Sequence, residues 1–217
     1  MVPTDIKKII LQESDNWIIL NKPSGLITER NPYEESLEAL LFNYLQQQKK
    51  NPFLGVVHRL DRVTSGLIIF AKKKSALKTL NQWIEKKQIK KVYRAIVENQ
   101  PELKAQTLEQ YIIKDQKMKI ARISDTKMPN SKNCKLHYRL IQSRPFGHQL
   151  EIQLFTGRFH QIRAQLSHIN MPIVGDVKYG GKAITEKNKI YLHAYKLRFP
   201  ENKLNLPREI SSEQDLT

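Results

Sequence analysis

Residues 149–155, QLEIQLF, alternate without a break: Leu150, Ile152 and Leu154 point one way, Gln149, Glu151 and Gln153 the other. A period of two belongs to a β-strand with one face turned to a core and one to water. KLHYRLIQ (135–142) repeats the pattern through Leu136, Tyr138 and Leu140. NWIILNK (16–22), GLIIFAKK (66–73), KVYRAIVE (91–98) and EQYIIKD (109–115) read as further strands. Successive strands with few helices between them predict an α+β chain, its sheet antiparallel or mixed rather than doubly wound and parallel.

Three stretches carry the helical period instead. In EESLEALLFNYLQQQ, Leu37, Leu40, Leu41, Tyr44 and Leu45 line one face, and Ser36 is placed to cap it. SALKTLNQWIEKKQ aligns Leu77, Leu80 and Ile84, with Ser75 as the expected cap. HQIRAQLSHI aligns Ile162, Leu166 and Ile169. No repeat or linker divides the chain, so residues 1–201 are expected to form one domain. Residues 202–217, NKLNLPREISSEQDLT, read as a polar, poorly ordered tail.

The charge narrows the function. Lys plus Arg number 37 against 21 Asp plus Glu, a net +16 that asks for a polyanionic partner. The apolar runs are far below the roughly 20 residues that span a bilayer, and the N-terminal stretch lacks the apolar core of a signal peptide. One cysteine, Cys134, allows no internal disulfide and fits a reducing, cytoplasmic setting. The six histidines show no metal-ligand spacing, so no metal is expected. No phosphate-cradling or dinucleotide-binding glycine motif is present either.

The stretch GVVHRLDRVTSGLIIF (55–70) sets His58, Arg59, Asp61 and Arg62 between two apolar segments. A carboxylate there must be paired or shift its pKa, since burying a lone charge is costly. Five other blocks share the chain with it in a fixed order. NKPSGL (21–26) comes before; KVYRAIV (91–97), TGRFHQIR (156–163), MPIVGDVKYGG (171–181) and YLHAYKLRF (191–199) come after. In that order they strongly resemble the RluA-type family of RNA pseudouridine synthases, over roughly residues 14–200. The NKPSGL block starts early in this sequence, which resembles the compact members that lack an S4 RNA-binding domain.

The resemblance implies a single α+β domain around a mixed, largely antiparallel sheet with flanking helices and a central cleft. It implies a monomer acting on tRNA or ribosomal RNA with no organic cofactor. Asp61 matches the catalytic aspartate, Tyr93 the tyrosine beside the target base and a proposed proton acceptor, and Arg163 the basic partner of the aspartate. His58 and Arg59 are expected to fill the vacated base stack or hold backbone phosphate, and Arg62, Arg158 and His160 complete the expected RNA contacts. Phe159 departs from the family, where threonine is common. An ionised carboxylate suits the chemistry, acting at C1′ as nucleophile or glycal-route base, or at C6 of the ring; the residues do not choose among these. Two other functions stay open: RNA binding without catalysis, and an N-glycosidase releasing free base.

Overall fold

The computed structural model describes residues 5–201 and 203–212. In chain order its elements are α1 (Ile6–Ile9), β1 (Ile10–Glu13), β2 (Trp17–Lys22), α2 (Leu37–Gln48), β3 (Gly55–Val56), β4 (Ser65–Ala71), α3 (Lys74–Glu85), β5 (Lys90–Val97), β6 (Ala105–Asp115), β7 (Ile120–Ser124), β8 (Lys132–Arg144), β9 (Gly147–Leu154), α4 (Gln161–His168), a 3-10 turn (Val177–Tyr179), β10 (Leu192–Arg198) and β11 (Glu209–Ser211). The strands form one sheet in the order β1-β2-β4-β10-β5-β9-β8-β6-β7, with β3 also on β4 and β11 on β10. Every pairing is antiparallel except β10 on β4. The expected single α+β domain with a mixed, mostly antiparallel sheet is what the chain forms.

Alternation appears where one face stays wet. In β9, Leu150 and Ile152 are fully buried while Glu151 and Gln153 are partly exposed. Strands β2 and β4 are covered on both faces and therefore read as unbroken apolar runs. On one face Ile18, Leu20, Ile68 and Phe70 pack with Leu37 and Leu41 of α2, Tyr93 of β5 and Ile162 of α4. On the other, Trp17, Ile19, Leu67 and Ile69 pack with Ala76 and Leu80 of α3.

The parallel contact between β4 and β10 is short, His193 beside Ser65 and Ala194 beside Gly66. Gly66 has φ +115°, and a Cβ there would stand 2.4 Å from the Ala194 carbonyl oxygen. Only glycine lets the two backbones come this close. Beyond that point the strands part, β4 pairing with β3 at its far end and β10 with β11. The loop from β3 into this junction carries Asp61.

Two expectations are corrected. Ser36 does cap α2, accepting from Ala39 N–H at 3.2 Å, but α3 begins before Ser75, with Lys73 as its N-cap and no side-chain cap bond. The segment after residue 202 is not a loose tail. Leu206 and Ile210 are buried against Trp17, Leu197 and Phe199, the Trp17 indole N–H donates to the Leu204 carbonyl at 2.8 Å, and β11 extends the sheet. The fold therefore runs to Ser212, and residues 213–217 lie outside the described residues. Among the described residues no helix is long and apolar enough to cross a membrane.

Candidate active site

The loop bearing Asp61 is clamped by the NKPSGL turn and the threonine after it. Thr28 Oγ1 donates to the Leu60 carbonyl at 2.9 Å and accepts from Leu60 N–H at 3.2 Å. Gly25 N–H donates to the Arg62 carbonyl at 2.8 Å, and Ser24 Oγ to that of Val63 at 3.1 Å. Lys22 is fully buried, and its ammonium donates to the carbonyls of Pro23, Leu26 and Arg62 at 2.9, 2.8 and 3.2 Å. Burial pulls its pKa down to about 7, against the attraction of Asp61. The two sequence blocks thus meet as a single braced unit, and Asp61 sits at a fixed place on it.

From the other side comes α4, whose first six residues are all buried. Arg163 on its first turn gives Nη1–H to Asp61 Oδ2 at 3.3 Å. Its stronger partner is Asp176, in MPIVGDVKYGG, which takes Nε–H at 2.7 Å and Nη2–H at 2.8 Å in a two-pronged bond. Asp176 is 2% exposed. The sequence reading missed it, although the block around it was in view. Arg163 pulls the Asp61 carboxyl down, but not into the ordinary range. Burial outweighs the opposing pull of Arg163, then of Lys22 and Arg59, and the Asp61 pKa rises. Asp61 keeps 27% of its side chain exposed, and no donor among the described residues binds its Oδ1.

Tyr93, on β5, is 6% exposed and close enough to Asp61 to feel its charge. Burial first, and that charge second, push the phenol's pKa well up. Asp61, Tyr93 and Arg163 are therefore brought together, as their matched motifs imply.

The five residues expected to touch RNA divide. Arg59 is exposed and paired with Glu29 at 2.6 Å, Arg62 is paired with Glu34, and Arg158 is exposed with its Nε–H on the Asn133 carbonyl at 3.1 Å. His58 instead turns into the fold, its Nε2 3.4 Å from the Ile69 N–H. Burial, helped by Lys91, pushes its pKa down to about 3. A neutral imidazole would meet backbone phosphate as a hydrogen-bonding group rather than as a charge. His160 stands inside the site, Nε2 3.8 Å from Asp61 Oδ2. Burial, then Arg163 and Lys178, push its pKa down to about 3. Cys134 is buried, its pKa pushed up to about 11 by burial, and its thiol donates to the Gln110 carbonyl. Among the described residues no group of three or more His, Cys, Asp or Glu is arranged to hold a metal ion.

This architecture has known counterparts. Residues 16–168 match the family described as RNA pseudouridylate synthase, and the chain belongs to that family, in the RluA-type branch its motif blocks resemble. It is 34% identical over 208 residues to the ribosomal large subunit pseudouridine synthase C of Buchnera aphidicola, covering 91% of this chain and 65% of that one. With the protein of the same name from Vibrio vulnificus it shares 31% over 216 residues, 96% of this chain and 66% of that one. The chain thus spans about two thirds of the length of these curated relatives. Among solved structures, human RNA pseudouridylate synthase domain containing 1 superposes with a TM-score of 0.78 at 21% identity, covering 99% of this chain and 86% of that one. Human RNA pseudouridylate synthase domain containing 4 gives 0.77 at 23%, covering 90% and 85%. At that identity the two structures speak to the fold.

Proposed function

We propose that this chain isomerises uridine to pseudouridine in RNA, with Asp61 as the residue that acts on the nucleotide. One observation carries the reading. A family-matched carboxylate stands at the sheet junction with Oδ2 held by Arg163 and Oδ1 engaged by no described donor. The reaction breaks the N1–C1′ bond, turns the base and joins C5 to C1′; the C5 hydrogen leaves as a proton and N1 gains one. An ionised carboxylate serves at C1′, as base in a glycal route, or at C6. Tyr93 is assigned to walling the base rather than to taking the proton, since a phenol of raised pKa stays protonated.

The target uridine must leave its stack to reach a braced loop of this kind, which costs a few kcal/mol. The net charge of +16 supports an RNA partner, and the names of the relatives favour ribosomal over transfer RNA. We take the chain to act as a monomer in the cytoplasm, the single cysteine fitting a reducing compartment. The purified protein is expected to release tritium from RNA carrying [5-³H]uridine and leave pseudouridine in its place. Free uracil would instead show an N-glycosidase, and tight RNA binding without release would show a binding protein.

A further inference from the structure

His160 is the N-cap of α4 yet makes no side-chain cap bond, and its backbone is left-handed at φ 50°, ψ 26°. A non-glycine residue held there usually serves a purpose that outweighs the strain. Its ring faces two partners. Nδ1 lies 2.9 Å from the Tyr179 hydroxyl, and that hydroxyl accepts the Ala121 N–H of β7 at 2.7 Å. With Ala121 N–H donating to the phenol oxygen, the phenol donates its own O–H to Nδ1. A neutral imidazole then carries its hydrogen on Nε2, the atom that faces Asp61 Oδ2 at 3.8 Å. Phe159 stacks on the ring at 3.7 Å and 18°, with Lys114 Nζ 4.8 Å above the phenyl ring. The departure from threonine at 159 thus closes the open face of His160.

We infer that His160 is a positioning residue: the chain Ala121 N–H, Tyr179 O–H, His160 Nε2–H aims its last N–H dipole at Oδ2 of Asp61 from 3.8 Å, beyond hydrogen-bond length and beside Arg163, so that the carboxylate works through Oδ1. The inference rests on the function proposed above. The charged groups facing this pair are Arg163, Lys22 and Arg59 around Asp61, and Arg163, Lys178, Asp176 and Lys114 around His160.

Two measurements test it. Long-range ¹H–¹⁵N correlation on the free protein at neutral pH, with His160 assigned by the loss of its signals in His160→Gln, should show the Nε2–H tautomer. An Nδ1–H tautomer overturns the inference, and this reading stands whether or not the protein forms pseudouridine. Single-turnover tritium release against pH should show the acid limb moved upward by about half a pH unit in Tyr179→Phe and His160→Ala, because each removes or turns away the N–H dipole that faces the carboxylate. His160→Gln, which retains a side-chain N–H, should return the limb part of the way. Reduced rates with unmoved acid limbs in all three variants would mean a merely structural histidine. Should His160→Ala fail to fold, Tyr179→Phe and the wild-type tautomer decide. Failure of the wild-type protein to release tritium would defeat the proposed function and leave the tautomer test intact.

Discussion

Arg163 has two carboxylates to serve, and it serves them unequally. Asp176 takes two hydrogen bonds at 2.7 and 2.8 Å, Asp61 one at 3.3 Å. The raised pKa of Asp61 comes from burial, which the single bond from Arg163 opposes without cancelling, and it has a sign. In the proposed chemistry the active form is the carboxylate, so the acid limb of turnover should lie above the usual carboxylate range. In Asp176→Asn the guanidinium has only Asp61 left as a charged partner, so the limb should move down. Disturbing one partner of a buried pair should also cost about 3 kcal/mol of stability, read by urea unfolding. An unmoved limb in that variant would show that Asp176 does not govern Asp61. Asp61, Tyr93 and Arg163 were legible because each lies in a motif block that the family resemblance matches. Asp176 lies in such a block too, but nothing in one sequence says which of several carboxylates folds back onto an arginine. The charge state of His58 was not legible for the converse reason: sequence shows a histidine among charges, and only burial shows that it stays neutral.

At the scale of elements, the strands with clean alternation or a bounded apolar run were legible, and those with neither were not. β7 lies in KMKIARIS, where lysines and arginine mask the apolar residues and suggest surface. β11 escaped because its three residues carry one apolar side chain, Ile210, between polar neighbours. Its burial comes from docking beside β10 and Trp17, a long-range contact that local pattern does not encode. Ile210→Ala should therefore cost about 2 kcal/mol, a core-sized loss from what reads as a tail; a change below a few tenths would restore the tail reading. Gly66→Ala should be worse. It places a side chain at φ +115° and 2.4 Å from a backbone oxygen, so β4 and β10 must separate at the site. A loss of more than about 2 kcal/mol, with lower turnover in whatever folds, is the expected result by thermal unfolding and tritium release.

For the molecule as a whole, three enclosed histidines set the response to acid. His58 and His160 have their pKa values pushed down to about 3, and His193 to about 4, burial being the main cause in each. The unfolded chain binds these protons near pH 6.5 and the folded one does not. Stability should thus fall as pH drops from about 6.5 toward 4, by up to about 1.4 kcal/mol per pH unit for each histidine. Asp61, with its raised pKa, opposes this with one proton. Urea midpoints at pH 7, 6 and 5 check it, and a flat series would contradict it. The same whole-chain view governs RNA capture. Exposed Lys73, Lys74, Lys78, Lys86, Lys87 and Lys90 line α3 and its ends, so log affinity should fall linearly with log salt. The central claim meets its most direct test in Asp61→Asn, which keeps size and removes charge. Measured side by side with wild type on the same [5-³H]uridine RNA, the variant should fold and bind RNA with unchanged salt dependence, yet release no tritium. Release near the wild-type rate from the folded variant would contradict the account.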